Sequence, residues 1–152
     1  MDDVDRSLLK LLQEDATKTY ADLGEAVGLS SGAVHERVRK LRTSGVILRT
    51  TIDVDPASLG REVVAFVLIE ANAWMGDSAN ALAAIATIEE AHIIAGAAAV
   101  LVKVRTASTE QLQSALQEIF DIDAVTGTQA IVVLKTFFER QLDPRGPSTS
   151  AR

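Results

Sequence analysis

TYADLGEAVGLSSGAVHERVRKLR, Thr19 to Arg42, is the stretch on which the fold of the first third of the chain turns. Thr19 stands three residues before Asp22, the spacing of a capping box with Asp in the acidic position. It predicts a helix with Leu23, Ala26 and Val27 facing inward. Gly28 ends that helix, and after Leu29 the hydroxyl of Ser30 is placed to cap the next. There Val34, Val38 and Leu41 fall at i, i+4 and i+7, and Ser44-Gly45 stops the run. Two helices joined this tightly have helix-turn-helix spacing. Upstream, Asp2 or Asp3 caps a first helix with Val4, Leu8, Leu11 and Leu12 on one stripe. Downstream, VILRTTIDV, Val46 to Val54, is β-branched and alternating, which predicts a strand or short ribbon.

Charge gives the second of the two helices a direction. The 152-residue chain has a net charge of −6, yet residues 29–50 carry five cations against Glu36 alone. Stepping 100° per residue from Val34 sets Gly32, Glu36, Arg39 and Thr43 opposite the buried stripe. His35, Lys40 and Arg42 flank them, and Arg37 lies at the edge of the buried side. The outer face is therefore basic, and small at its start. A DNA major groove accepts such a helix: small N-terminal residues permit close approach, and flanking cations reach phosphates. Ser31, Gly32, His35 and Arg39 are the expected base-side residues. Arg37, Lys40 and Arg42 are the expected backbone contacts, and Ser30 completes the expected DNA-binding set. The competing reading is an ordinary solvated face, or a surface that takes a protein partner.

The rest of the composition narrows the field. The absence of cysteine excludes a disulfide scaffold, a thiolate metal site and a cysteine nucleophile. No apolar run approaches the roughly 20 residues that span a bilayer. The start, MDDVDRSLLK, lacks the basic and apolar regions of a signal peptide, so a cytoplasmic protein is expected. Only two histidines are present, and no nucleophile–base pair, P-loop or dinucleotide glycine fingerprint occurs; no catalytic residue, metal or cofactor is expected. His92 reads as an interface or packing residue, Asp121 and Asp123 as turn chemistry. Glu89 and Glu90 are adjacent, so on a strand they would face opposite ways.

The second half reads as a separate domain. VVAFVLIEA (63–71) is an apolar strand. Asp77 or Ser78 caps an alanine-rich helix with Leu82, Ile85 and Ala86 inward. AHIIAGA (91–97) and AAVLVKVRT (98–106) read as strands around Gly96. Ser108 to Gln111 opens a helix with Leu112, Ala115, Leu116, Ile119 and Phe120 on one side, and TGTQAIVVLKTFF (126–138) is a long strand. The order βαββαβ is the ferredoxin-like arrangement, whose sheet has one face for helices and another left to be covered, so self-association follows. Trp74, in the loop after the first of these strands, either gates a pocket or packs at a subunit contact. The expected divisions are 1–50, a connector at 51–62, 63–138, and a disordered tail at 139–152.

Several runs together resemble the Lrp/AsnC family of feast/famine transcriptional regulators: Asp5-Arg6 before the leucines, LLQED, ADLGEAVGLS, RVRKL and SGVI. DVDPASLG, Asp53 to Gly60, resembles that family's connector. The resemblance covers roughly residues 2–138. It implies an α+β chain, an N-terminal winged helix-turn-helix followed by a ferredoxin-like βαββαβ (RAM/ACT-like) domain. It also implies double-stranded DNA as partner, homodimers that assemble into octamers, and an amino acid or other small effector held between dimers. Family members hold the amino acid near a Gly-x-Tyr-Asp motif before an apolar strand. Here Gly96 and the strand remain, while Ala97, Ala98 and Ala99 replace the acidic, aromatic and aspartate positions. Three methyls offer an ammonium group neither charge nor hydrogen bond. Gly96 to Ala99, with Thr126, Thr128 or Gln129 from the last strand, are the candidate effector residues. A less polar effector, a lost response and a packed dimer–dimer contact all remain open.

Overall fold

The computed structural model describes residues 1–146 and divides into two compact units, Met1–Asp53 with the chain from Phe138 onward, and Val54–Phe137. In the first, α1 (Asp3–Glu14), α2 (Tyr20–Val27) and α3 (Ser31–Thr43) enclose a core of Leu8, Leu23, Val34 and Val38. Each start is written in the sequence. The Asp2 carboxylate accepts from the Asp5 amide at 2.8 Å while Asp5 accepts from the Asp2 amide at 3.0 Å. Thr19 and Asp22 exchange the same pair of bonds at 3.2 Å each. The Ser30 hydroxyl accepts from the Ala33 amide at 3.3 Å. Satisfying amides that have no partner inside the helix is what fixes these starts.

Several packing expectations fail. Ala26 is exposed, and Gly24 is the residue buried beside Leu23. Residues 46–54 form no strand; Leu48 and Ile52 are 88% and 81% exposed, and only Ile47 reaches the core. A strand requires a hydrogen-bonding neighbour, and no element of this unit offers an edge to 46–54. Nor do residues 139–146, expected as part of a disordered tail, hang free: Arg6 donates to the Pro144 carbonyl at 2.7 Å and Gln13 to that of Leu142 at 3.0 Å. The remainder of that tail, 147–152, lies outside the described residues.

The second unit has the ferredoxin-like order: β1 (Val63–Ala71), α4 (Ala79–Ala84), β2 (Ile88–Ile93), β3 (Val100–Thr106), α5 (Thr109–Phe120) and β4 (Val125–Val132). The antiparallel sheet runs β2-β3-β1-β4. Alternation along β1 and β3 sends Ala65, Val67, Ile69, Val100, Val102 and Val104 to one face, where Leu82, Ile85, Leu112, Ala115 and Ile119 cover them. Each fully buried Val, Leu or Ile side chain there contributes about 1.5–3 kcal/mol. The other face carries Phe66, Leu68 and Leu101 with Lys103, Arg105 and Ile131 across the register and, among the described residues, no helix over it.

Four details depart from expectation. Ala86 and Phe120 are exposed, because α4 ends at Ala84 and α5 turns Ile119, not Phe120, onto the sheet. Ser78 stands before α4 without capping it; its hydroxyl meets the Met75 sulfur at 3.8 Å, and the Asp77 side chain lies outside what is described. β4 stops at Val132, leaving Leu134 and Phe137 97% and 87% exposed. Glu89 and Glu90 do not oppose each other. A bulge between Ile88 and Glu90 turns both carboxylates to Lys103, at 3.6 and 3.5 Å, and Glu89 to Arg105 at 2.6 Å.

Candidate nucleic-acid interface and ligand cavity

The turn between α2 and α3 is set by two glycines. Gly28 takes φ 71°, the left-handed conformation that closes α2. Gly24 has a different task. The Leu29 amide donates to its carbonyl at 2.8 Å, and the Leu29 carbonyl oxygen lies so near that a Cβ on residue 24 would overlap it. The chain thus folds back on a bare Cα, which seats Ser30 as the cap of α3.

With Val34, Val38 and Leu41 buried, α3 turns Ser31, Gly32, His35, Arg39, Lys40 and Arg42 to the exterior, and Ser30 is exposed at its start. The cations differ in freedom. Arg39 donates twice to Glu36, at 2.9 and 2.8 Å, and Lys40 stands 3.9 Å from the same carboxylate. The Arg39 hydrogen bonds hold the Glu36 carboxyl below its ordinary range. Arg42 has no ion-pair partner among the described residues. His35 meets the Tyr20 ring edge-on, centroids 5.2 Å apart, so the start of α2 fixes the imidazole on the outer face.

Arg37, expected at phosphate, is engaged within the helical unit. Its guanidinium donates to Asp5 at 2.7 Å and to Asp2 at 2.8 Å, and these bonds raise its already high pKa. The position at the edge of the buried stripe brings it within reach of the start of α1. Arg37 is a clamp between α1 and α3, and Asp2 is both its partner and a helix cap.

In the second unit, a cavity of about 510 Å³ opens where β1 ends and the Ile93–Ala99 loop turns. Gly96, Ala97, Ala98, Ala99 and Thr126 line it. Thr128 and Gln129 do not, because they lie farther along β4, paired with Ile69 and Leu68. Thr126 reaches the rim because a register shift at Glu70/Ala71 leaves it between the paired residues Val125 and Gly127. Trp74, 72% exposed, forms another wall, its indole laid over Gly76. Neither His92, beside Glu90 at 3.3 Å, nor Asp121 takes part.

The sequence reading missed Glu70. It is the one ionisable residue among the described residues that line the cavity. Only the antiparallel register, which sets it against Gly127, links it to that end of the sheet. No local signal could have joined it to residues some 26 positions away; pairing the expected β1 and β4 strands was the available clue.

Family models match both halves: an AsnC-type helix-turn-helix domain over residues 1–42 and an Lrp/AsnC ligand binding domain over 64–143. The chain is 36% identical over 140 residues to the HTH-type transcriptional regulator FL11 of Pyrococcus horikoshii, covering 91% of this chain and 93% of that protein. It is 32% identical over 148 residues to the regulatory protein AsnC of Escherichia coli, covering 95% and 97%. The solved structure of E. coli AsnC superposes with TM-score 0.86 at 32% identity, over 95% of this chain and 99% of that one. The feast or famine regulatory protein of M. tuberculosis, solved in complex with L-methionine, gives 0.86 at 33%, over 94% and 99%.

Proposed function

Because this chain belongs to the Lrp/AsnC family of transcriptional regulators, we propose that α3 enters the major groove of operator DNA and that the cavity beside Gly96 takes a small effector that tunes binding. The observation that carries the DNA reading is α3 itself: a helix pinned by three buried aliphatics with a small, basic exterior. Ser31, Gly32, His35 and Arg39 approach bases; Ser30, Lys40 and Arg42 meet phosphates. Arg37 serves as scaffold in this reading, since one of its terminal nitrogens donates to both Asp2 and Asp5.

In this reading residues 1–50 dock, 51–62 connect, and 63–138 sense and assemble. The helix-free sheet face, with Phe66, Leu68 and Leu101 at its centre, supports pairing of two chains, which presents two α3 helices to half-sites. No helix among the described residues is long and apolar enough to cross a membrane, which agrees with a cytoplasmic regulator.

The test is fluorescence anisotropy on DNA from upstream of the protein's own gene, across a salt series. Counterion release makes log affinity fall steeply with log salt when phosphates are contacted. Lys40→Ala is expected to weaken all sequences alike and to reduce the slope by about one, whereas Arg39→Ala lowers affinity and shifts base preference. A flat salt dependence, or a footprint indifferent to both substitutions, rejects the DNA reading and favours a protein partner for the basic helix.

A further inference from the structure

We propose that Glu36 and Arg39 act as one preassembled unit that reads a guanine in each DNA half-site, with Glu36 as the positioning residue. The inference rests on the reading of α3 as the major-groove helix and names the base that the helix selects.

Residues 29–50 carry five cations and a single carboxylate, Glu36. It stands opposite the buried Val34, Val38 and Leu41, in the middle of the face offered to a polyanion. A negative charge there opposes every phosphate contact and weakens binding to any duplex alike. What the carboxylate does in return is visible in its hydrogen bonds. Arg39 donates from Nε to Oε2 at 2.9 Å and from Nη2 to Oε1 at 2.8 Å, a two-point grip that fixes the plane of the guanidinium.

That grip uses one edge of the fork. Nη1 and the second hydrogen of Nη2 have no partner among the described residues. Together they form an edge that can donate to N7 and O6 of guanine, the acceptor pair by which this base is told apart in the major groove. The neighbours leave the edge in the open. One turn before Glu36, nothing lies within 4 Å of where a Cβ on Gly32 would stand. One turn after Arg39, the Thr43 hydroxyl turns back to donate to the Lys40 carbonyl at 3.1 Å. An arginine held in its reading geometry beforehand loses less side-chain freedom on binding. An unheld arginine reaches phosphate as readily as base, whereas the gripped fork has one edge to offer. The pair gives up general affinity and gains discrimination.

The experiment selects duplexes from a pool with a randomised central stretch, using the full-length protein, and measures affinity for the selected site by anisotropy. Each guanine of the site is then replaced in turn by deazaguanine, which lacks N7 and still pairs with cytosine. For the wild-type protein, replacing at least one guanine per half-site is expected to cost about tenfold in affinity, the size of a lost charge-assisted base contact. Arg39→Ala should bind the intact and the replaced site alike, because the partner of N7 is gone. Glu36→Gln should bind unrelated DNA more tightly and shrink the penalty to about threefold or less. Glu36→Asp keeps the charge but shortens the reach, so it should shrink the penalty without that gain. A merely structural residue would not move affinity and discrimination in opposite directions.

A guanine penalty that survives Arg39→Ala, or a selected site insensitive at every guanine, overturns the role of Arg39. Tighter binding to every duplex by Glu36→Gln, with the penalty intact, makes Glu36 a brake on charge alone and overturns the paired unit. Failure to enrich any site overturns the inference; joined to a flat salt dependence, it overturns the DNA reading as well.

Discussion

Replacing Gly24 by alanine sets two effects of opposite sign against each other. Gly24 lies inside α2, where alanine is the better helix former by about 0.5–1 kcal/mol. Helix propensity alone therefore makes Gly24→Ala stabilising. The backbone geometry reverses this. The new Cβ would overlap the Leu29 carbonyl oxygen, and backbone, unlike the tip of a side chain, does not swing away. Such overpacking costs about 1–3 kcal/mol, and drawing Leu29 off stretches the 2.8 Å bond from its amide to Gly24, a further loss of about 0.5–1.5 kcal/mol. The net expectation is a helix-turn-helix destabilised by about 1–3 kcal/mol, in a unit whose core, among the described residues, centres on four enclosed aliphatics. Hydrogen–deuterium exchange resolves it, with α2 and α3 amides exchanging faster while β1 and β3 amides hold. DNA affinity falls in parallel, because Ser30 no longer seats α3. Unchanged or slower exchange in α2 would refute the close-approach argument and leave Gly24 an ordinary helix residue.

Arg37→Ala separates a scaffold from a phosphate contact. As a clamp, its loss speeds amide exchange at the start of α1 and leaves the salt slope of DNA binding in place; a slope lowered by about one with α1 unchanged would return Arg37 to the DNA. Glu36→Gln releases Arg39 from its two bonds and weakens the hold on Lys40, so affinity for unrelated DNA should rise when measured by anisotropy at low salt. The pH dependence follows from the helix caps. Hydrogen bonds from the Thr19 hydroxyl and amide lower the Asp22 pKa, and the Asp5 amide with Arg37 lowers that of Asp2, both from the ordinary 3.8. A group whose folded pKa is depressed contributes stability above its unfolded value and loses it as pH falls through the folded one. Helix content followed by circular dichroism should therefore hold down to about pH 4 and fall below it, and Asp22→Asn should flatten that decline; an insensitive profile would contradict the capping geometry.

Local chemistry made the three N-terminal helices legible. Asp2, Thr19, Gly28 and Ser30 each act on amides or carbonyls within a few residues, so their meaning survives without a structure. The βαββαβ order was legible for the same reason, since alternation and capping are short-range. Residues whose role depends on a neighbour distant in the chain were not. Val46 to Val54 has strand composition and no strand beside it. Glu89 and Glu90 share a side because a bulge interrupts the alternation on which their separation was argued. Arg37 looked like a free cation because Asp2 and Asp5 stand more than 30 positions away. Glu70 was hidden by the opposite problem: a carboxylate on an apolar strand reads as a solvated residue until the register lays it across Gly127.

The bulge on β2 has a consequence at the rim of the sheet. β2 and β4 are its two edges, and exposed edges invite strand addition from other molecules. On β2 the distorted ladder and the charges of Glu89 and Glu90 make a poor template. On β4 the ladder is also shifted, at Thr126, but Gly127 to Val132 runs in unbroken register without a charged residue, with Ile131 and Val132 half exposed. Adhesion along this sheet is thus one-sided. Were two chains to join through β4, only guarded β2 edges would face outward, and growth would stop at a closed pair instead of running on into a fibre.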